Sequence, residues 1–179
     1  MKKIAIAFGC FLFIVTAGFS QKMLSTKSAA VSFVASGGAE KIAAANNEVD
    51  CKLLTATGQM VFTLLVKGFR FENQMMEDHF NENYVESSKF PKAGFKGFIT
   101  NIAAINFAKD GIYKAEADGT LNIHGVDQKV KTTGTVTISG SKVTLKGDFK
   151  INLKDYKITG AYIGDKIAPN VGISVDCKF

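Results

Sequence analysis

Apolar and polar residues alternate along most of this chain. Successive side chains of a strand point to opposite faces, so a period of two predicts strands with one buried face. The predicted inner faces begin with Ala29, Val31, Phe33 and Ala35, then Val49, Cys51 and Leu53, then Met60, Phe62, Leu64 and Val66. Phe95, Gly97 and Ile99 follow. Tyr113 to Ile123, Val130 to Ile138, Val143 to Leu153, and Ile173 to Phe179 complete the set, with Tyr113–Ile123 expected to be the longest. Turn residues separate them: Gly37-Gly38, Asn46-Asn47, Thr57-Gly58, Asp110-Gly111 with a hairpin signal, His124 to Asp127, and Ser139-Gly140-Ser141. Ala39–Ala45 reads as a short helical turn or a distorted edge, Lys67-Gly68 as a kink, and Asp155–Ile167 as irregular.

One stretch breaks the alternation. Met76, Phe80 and Tyr84 recur at every fourth position, which places them on one face of a helix. Pro91 ends any helix, and alternation resumes at Phe95. The chain is thus expected to be all-β, with about eight antiparallel strands and one short helical insertion acting as a lid. Periodicity alone does not separate a barrel from a sandwich.

The inner register also defines a candidate apolar interior. Its members are Phe33, Phe62, Leu64, Val66, Phe95, Ile99, Tyr113, Leu121, Phe149 and Ile151, with Met76, Phe80 and Tyr84 closing one end. Glycines at 97, 119 and 147 suit strongly coiled strands or room for something inside. A small barrel can be filled by such side chains or can hold one apolar ligand, and the residues alone leave both open.

Composition narrows the function. The 179 residues suit one domain, and 46% are apolar, enough for a real core. The net charge is +6, but it is spread thinly and Arg70 is the lone arginine, which argues against nucleic-acid binding. Met1-Lys2-Lys3, the apolar run Ile4–Val15, and small Gly18 and Ser20 ahead of Gln21 read as a cleaved signal peptide over residues 1–20. The domain is then 21–179, exported to the periplasm, without stable membrane insertion. Of the cysteines, Cys51 and Cys177 remain. They read as a disulfide or as two buried thiols; the thiols are favoured, because one distant pair is not a disulfide framework.

No catalytic or metal constellation emerges. Glu77, Asp78 and His79 are adjacent, so on a helix their side chains diverge. His79 and His124 are each expected to bond to backbone or amides rather than to catalyse, with Asn81 and Asn83 helping to seat the lid. Two separated histidines and two distant cysteines give no metal-ligand spacing. No cofactor and no enzymatic activity are expected. A dimer stays open, through an exposed edge at Val171–Phe179 if the sheet does not close.

Three segments, in order, carry a resemblance. They are Met76–Asn81 continuing through Lys89–Phe95, then Gly119-Thr120-Leu121-Asn122-Ile123-His124-Gly125-Val126, then Phe149–Ile158 with Asp155-Tyr156. In these the chain resembles the YceI-like family of exported proteins from about Ser28 to Phe179. The resemblance implies a lipocalin-like barrel in the periplasm that holds a long apolar chain, such as a polyisoprenoid or isoprenoid quinone. It departs from the family at Ser36–Asn47, which stands where an ordered early strand pair is common, and at Lys157, where a small residue is common.

Overall fold

The computed structural model describes residues 22–36 and 41–179. The proposed signal peptide and the Gly37-Gly38 break lie outside these residues. Among the described residues nine antiparallel strands are present: β1 (Met23–Ala35), β2 (Ile42–Leu54), β3 (Gln59–Leu65), β4 (Arg70–Phe71), β5 (Lys92–Ile99), β6 (Gly111–Ile123), β7 (Val126–Ser139), β8 (Lys142–Asn152) and β9 (Asn170–Lys178). Their order is β1-β9-β8-β7-β6-β5-β3-β2, and β2 pairs back onto β1, which closes the barrel. The two-residue β4 is an outlier paired only to β2. The fold is therefore a closed, eight-stranded, lipocalin-like barrel with one short helix, α1 (Gln74–His79), that continues into a wider π-turn over Phe80–Tyr84. β9 pairs with both β8 and β1, so Val171–Phe179 offers no free edge of the kind that would favour a dimer.

Several expectations are corrected. Ser36–Asn47 does not replace an ordered strand pair: β1 and β2 run side by side from Met23↔Leu54 to Ala35↔Ile42. Ala43–Ala45 is strand rather than a helical turn, and Asn46-Asn47 continues β2, with a bulge at Asn47–Glu48, rather than turning. Asn46 is buried, yet both ends of its amide are bonded. Its Nδ2 donates to Leu65 O at 2.9 Å and its Oδ1 accepts from Glu48 N at 2.9 Å. That local bonding is what an asparagine offers to a turn, used here to hold an extra residue in a strand. Asp110-Gly111 is not a hairpin turn; an eleven-residue connection over 100–110 joins β5 to β6. β7, at 14 residues, is longer than β6 at 13.

The two ends of the barrel differ. At the end carrying the chain's last residues, Val49, Cys51, Leu53, Val136 and Cys177 are fully buried and pack a solid floor. There Cys51 on β2 and Cys177 on β9 form a disulfide across β1, with Cα atoms 7.0 Å apart. The favoured reading of two free thiols is thus corrected. Both cysteines lie on inner faces of strands that flank the same neighbour, and the tight closure of the barrel brings them together.

The opposite end is hollow and carries the lid. Between the two ends, Gly97 and Gly119 face each other across β5 and β6. The Phe95 ring lies over both, so these glycines make room for an aromatic side chain rather than for a ligand. A Cβ on Gly119 would sit 2.4 Å from Phe95 Cζ and 2.5 Å from the Lys96 carbonyl oxygen. Gly119→Ala is therefore expected to cost about 1–3 kcal/mol through overpacking. A shift in the urea midpoint at unchanged slope checks this.

Candidate functional site: an apolar cavity beneath a helical lid

The hollow half of the barrel holds a cavity of about 550 Å³. This falls within the usual range for small-molecule pockets. Its walls come from the inner faces of all eight barrel strands, and its roof from the lid. Phe33, Phe62, Leu64, Val66, Phe95, Ile99, Leu121, Phe149 and Ile151 line the walls as the alternation predicts. Met76, Phe80 and Tyr84 line the roof. Tyr113 does not line it. Its strand parity is inward, but it pairs with the fully buried Val136 near the solid floor and donates its hydroxyl to Lys109 O at 2.9 Å. Inward orientation was legible in sequence; height along the barrel was not.

Other lining residues were missed. Phe69 and Phe71 follow a 3₁₀ turn at Val66–Gly68 that rotates them towards the cavity. With Phe33 and Phe80 they make an aromatic cluster under the lid, with Phe80 5.4 Å from Phe33, 5.8 Å from Phe69 and 5.1 Å from Phe71. A run of four phenylalanines converging on one spot is a non-local feature, since Phe33 and Phe80 lie on different elements.

The lid is seated by residues other than the expected histidine. Asn73 caps the helix, its Oδ1 accepting from Met75 N at 2.8 Å. Glu77 accepts from Arg70 Nη1 at 2.8 Å and from Phe71 N at 3.3 Å, tying α1 to β4. Asn81 Nδ2 donates to Glu77 O at 2.9 Å. His79 is exposed, borders the cavity, and makes no hydrogen bond among the described residues. Asp78 accepts from Gln74 instead, so His79 and its acidic neighbours do not act together.

His124 is the histidine with partners. It occupies the first corner of the β6–β7 hairpin, where His124 and Gly125 both take positive φ, 54° and 72°. This is the twist a two-residue hairpin needs. The ring packs against Phe90 at 4.4 Å. Its Nδ1 meets the Tyr156 carbonyl at 3.1 Å and its Nε2 meets Glu86 Oε2 at 2.8 Å. One side chain thus joins the tail of the lid, the β6–β7 hairpin and the turn after β8. Glu86, His124 and Lys157 are the non-glycine residues with positive φ among the described residues, and all three lie at this junction. Backbone strain of this kind persists where the surroundings over-determine it. Lys157 ends the Leu153–Tyr156 turn in the left-handed region.

The bond from His124 holds the Glu86 carboxyl below its usual 4.5, aided by Lys89 and opposed by partial desolvation. Because folding lowers this value, the stabilisation is fully present above about pH 4.5 and is lost as pH falls through the folded value. Glu86→Gln is expected to be less stable than the parent at neutral pH. The gap should close in acid, as seen in melting temperatures taken across pH 3–7. Tyr156, whose carbonyl completes the junction, has its hydroxyl pushed up to about 12 by burial and the nearby Asp155 charge.

Residues 23–179 match the family model described as the YceI-like domain. The chain belongs to the YceI-like family. Its barrel is similar to that of a solved polyisoprenoid binding domain from Saccharophagus degradans implicated in plant cell wall breakdown, with a TM-score of 0.76, 13% identity, and coverage of 88% of this chain and 97% of that one. It is also similar to BcnA of Burkholderia cenocepacia, with a TM-score of 0.70, 21% identity, and coverage of 84% and 96%. At such identities the likeness is one of fold. No curated protein matches the chain. In this YceI-like barrel, no group of histidine, cysteine and carboxylates suited to a metal is found among the described residues, and no helix there is long and apolar enough to cross a membrane.

Proposed function

We propose that this YceI-like protein is an exported, non-catalytic binding protein of the periplasm. It holds a long apolar chain of the polyisoprenoid or isoprenoid-quinone type in its barrel, for transport, storage or sequestration. The observation that carries the proposal is the cavity itself: a void of about 550 Å³ walled almost wholly by aliphatic and aromatic side chains. Such a void is costly when empty, since its lining loses packing contacts. An apolar chain restores them, each buried methylene favouring binding by about 0.8 kcal/mol before ordering costs. The kinship to a polyisoprenoid binding domain agrees with an occupant of that shape.

Binding without catalysis is supported by the fate of the histidines. Both nitrogens of His124 are committed to structural bonds, and His79 has no carboxylate held against it. The Cys51–Cys177 bond supports export, because disulfides persist in oxidising compartments. The test is organic extraction of the purified protein followed by mass spectrometry. A stoichiometric prenyl lipid is expected. Protein that yields no lipid and takes up no prenyl probe would overturn the reading.

A further inference from the structure

β7 and β8 share a ladder only from Ser139↔Lys142 to Gly134↔Gly147. Both strands continue past that point. β7 stays paired with β6 down to Val126, and β8 with β9 up to Asn152↔Asn170. The wall therefore parts between residues 126–133 and 148–152, in the hollow half of the barrel. Side-chain bonds alone cross the gap among the described residues. Thr132 Oγ1 donates to Asp148 O at a long 3.4 Å, and Gln128 Nε2 donates to Asp155 O at 2.7 Å near the lid end. Gly134 and Gly147 mark where the strands separate. A Cβ on Gly134 would sit 2.2 Å from Lys146 O, whereas one on Gly147 meets only Thr133 O at 3.9 Å.

The cavity reaches this gap. Val130, Thr132 and Phe149 line it from inside, and so do Thr133 and Lys146, which are exposed on the outer face. A void bordered by both faces of a wall passes through the wall. At the lid end exposed Met75, His79, Tyr162 and Lys166 also border the cavity, so the routes differ in what holds them. The floor is packed solid around Val136 and the disulfide, and the roof is held by the four-phenylalanine cluster and the Glu86–His124–Tyr156 junction. A chain entering past the lid must break those contacts. One passing between β7 and β8 breaks no ladder bond and meets only two side-chain bonds, the weak Thr132 contact and, nearer the lid, that of Gln128 to Asp155 O.

We propose that the β7–β8 gap is a lateral portal through which the apolar chain slides into and out of the barrel, the lid staying closed. This rests on the apolar-chain reading of the cavity. Lys131 and Lys150 would face each other here if the ladder continued; both are exposed and neither lines the cavity. Lys131→Cys/Lys150→Cys, joined by a short thiol-reactive cross-linker with the buried native disulfide intact, closes the gap. The measurement is stopped-flow transfer of a fluorescent geranylgeranyl probe between phosphatidylcholine vesicles and protein. Uptake and release are expected to slow together by at least tenfold, with equilibrium occupancy unchanged. Transfer at the parent rate after cross-linking would overturn the portal and leave the binding reading standing. A parent that takes up no probe overturns both. If the double variant misfolds, Lys131→Cys alone carries thiol-reactive labels of increasing size: exchange that slows with label size supports the portal, and exchange indifferent to it refutes it.

Discussion

Replacing Cys51 and Cys177 together by alanine is expected to produce the largest loss of stability of any conservative change in this barrel. The bond closes a loop with a sequence separation of 126, and cross-links over loops of that length restrict the unfolded chain by up to about 5 kcal/mol in the chain-entropy picture. Measured losses for such bonds run about 2–5 kcal/mol. The site adds a packing contribution, because both sulfurs sit in the fully buried floor beside Ala29 and Leu53. For a domain of this size the melting temperature should fall by roughly 10 °C. The cavity half lies at the other end of the barrel, so binding below the melting transition should persist. Denaturant unfolding of the double variant beside the parent checks this. A difference under about 0.5 kcal/mol would show that the bond contributes little to folding. Reductant alone should act only slowly on the native protein, since both cysteines are inaccessible until it opens.

The strands were readable because a barrel wall has one wet and one dry face, and the residues at 60, 62, 64 and 66 or 143, 145 and 151 record it. The lid was readable for the same reason at a different period. Failure came where contrast was low. Ala43–Ala45 carries too little side chain to show a face, and Asn46 looks like turn chemistry although its amide is spent inside a strand. It came again where meaning depends on distance in space. Glu86 and His124 lie 38 residues apart, and nothing local marks either as the other's partner. Tyr113 shows a third limit, since period two reports which face a side chain takes but not how far along the barrel it lies. The parted strands had no signature, because both keep a clean alternation on either side of the gap.

Phe80→Ala should have the largest effect on ligand exchange. Phe80 joins the lid to the wall through three aromatic neighbours, Phe33, Phe69 and Phe71. Aromatic pairs contribute about 0.5–1.5 kcal/mol each beyond the area they bury, so removing one partner of three weakens lid seating by about 2–3 kcal/mol. Of the remaining ties, Arg70 to Glu77 is at the exposed surface, where such contacts hold weakly, which leaves the Glu86–His124–Tyr156 junction holding the tail of the lid. Lid opening would then compete with the route between β7 and β8, and the cavity would leak through its roof. Release of a bound prenyl probe should accelerate about tenfold to a hundredfold, at 1.4 kcal/mol per decade. Global unfolding should move less, because a lid of eleven residues opens as its own unit while the closed barrel keeps its ladder. Tyr113→Phe is the matched control: it loses a bond to Lys109 O at the floor end and should leave release unchanged. Equal release rates in Phe80→Ala and the parent, with the barrel intact, would mean that the roof takes no part in retention.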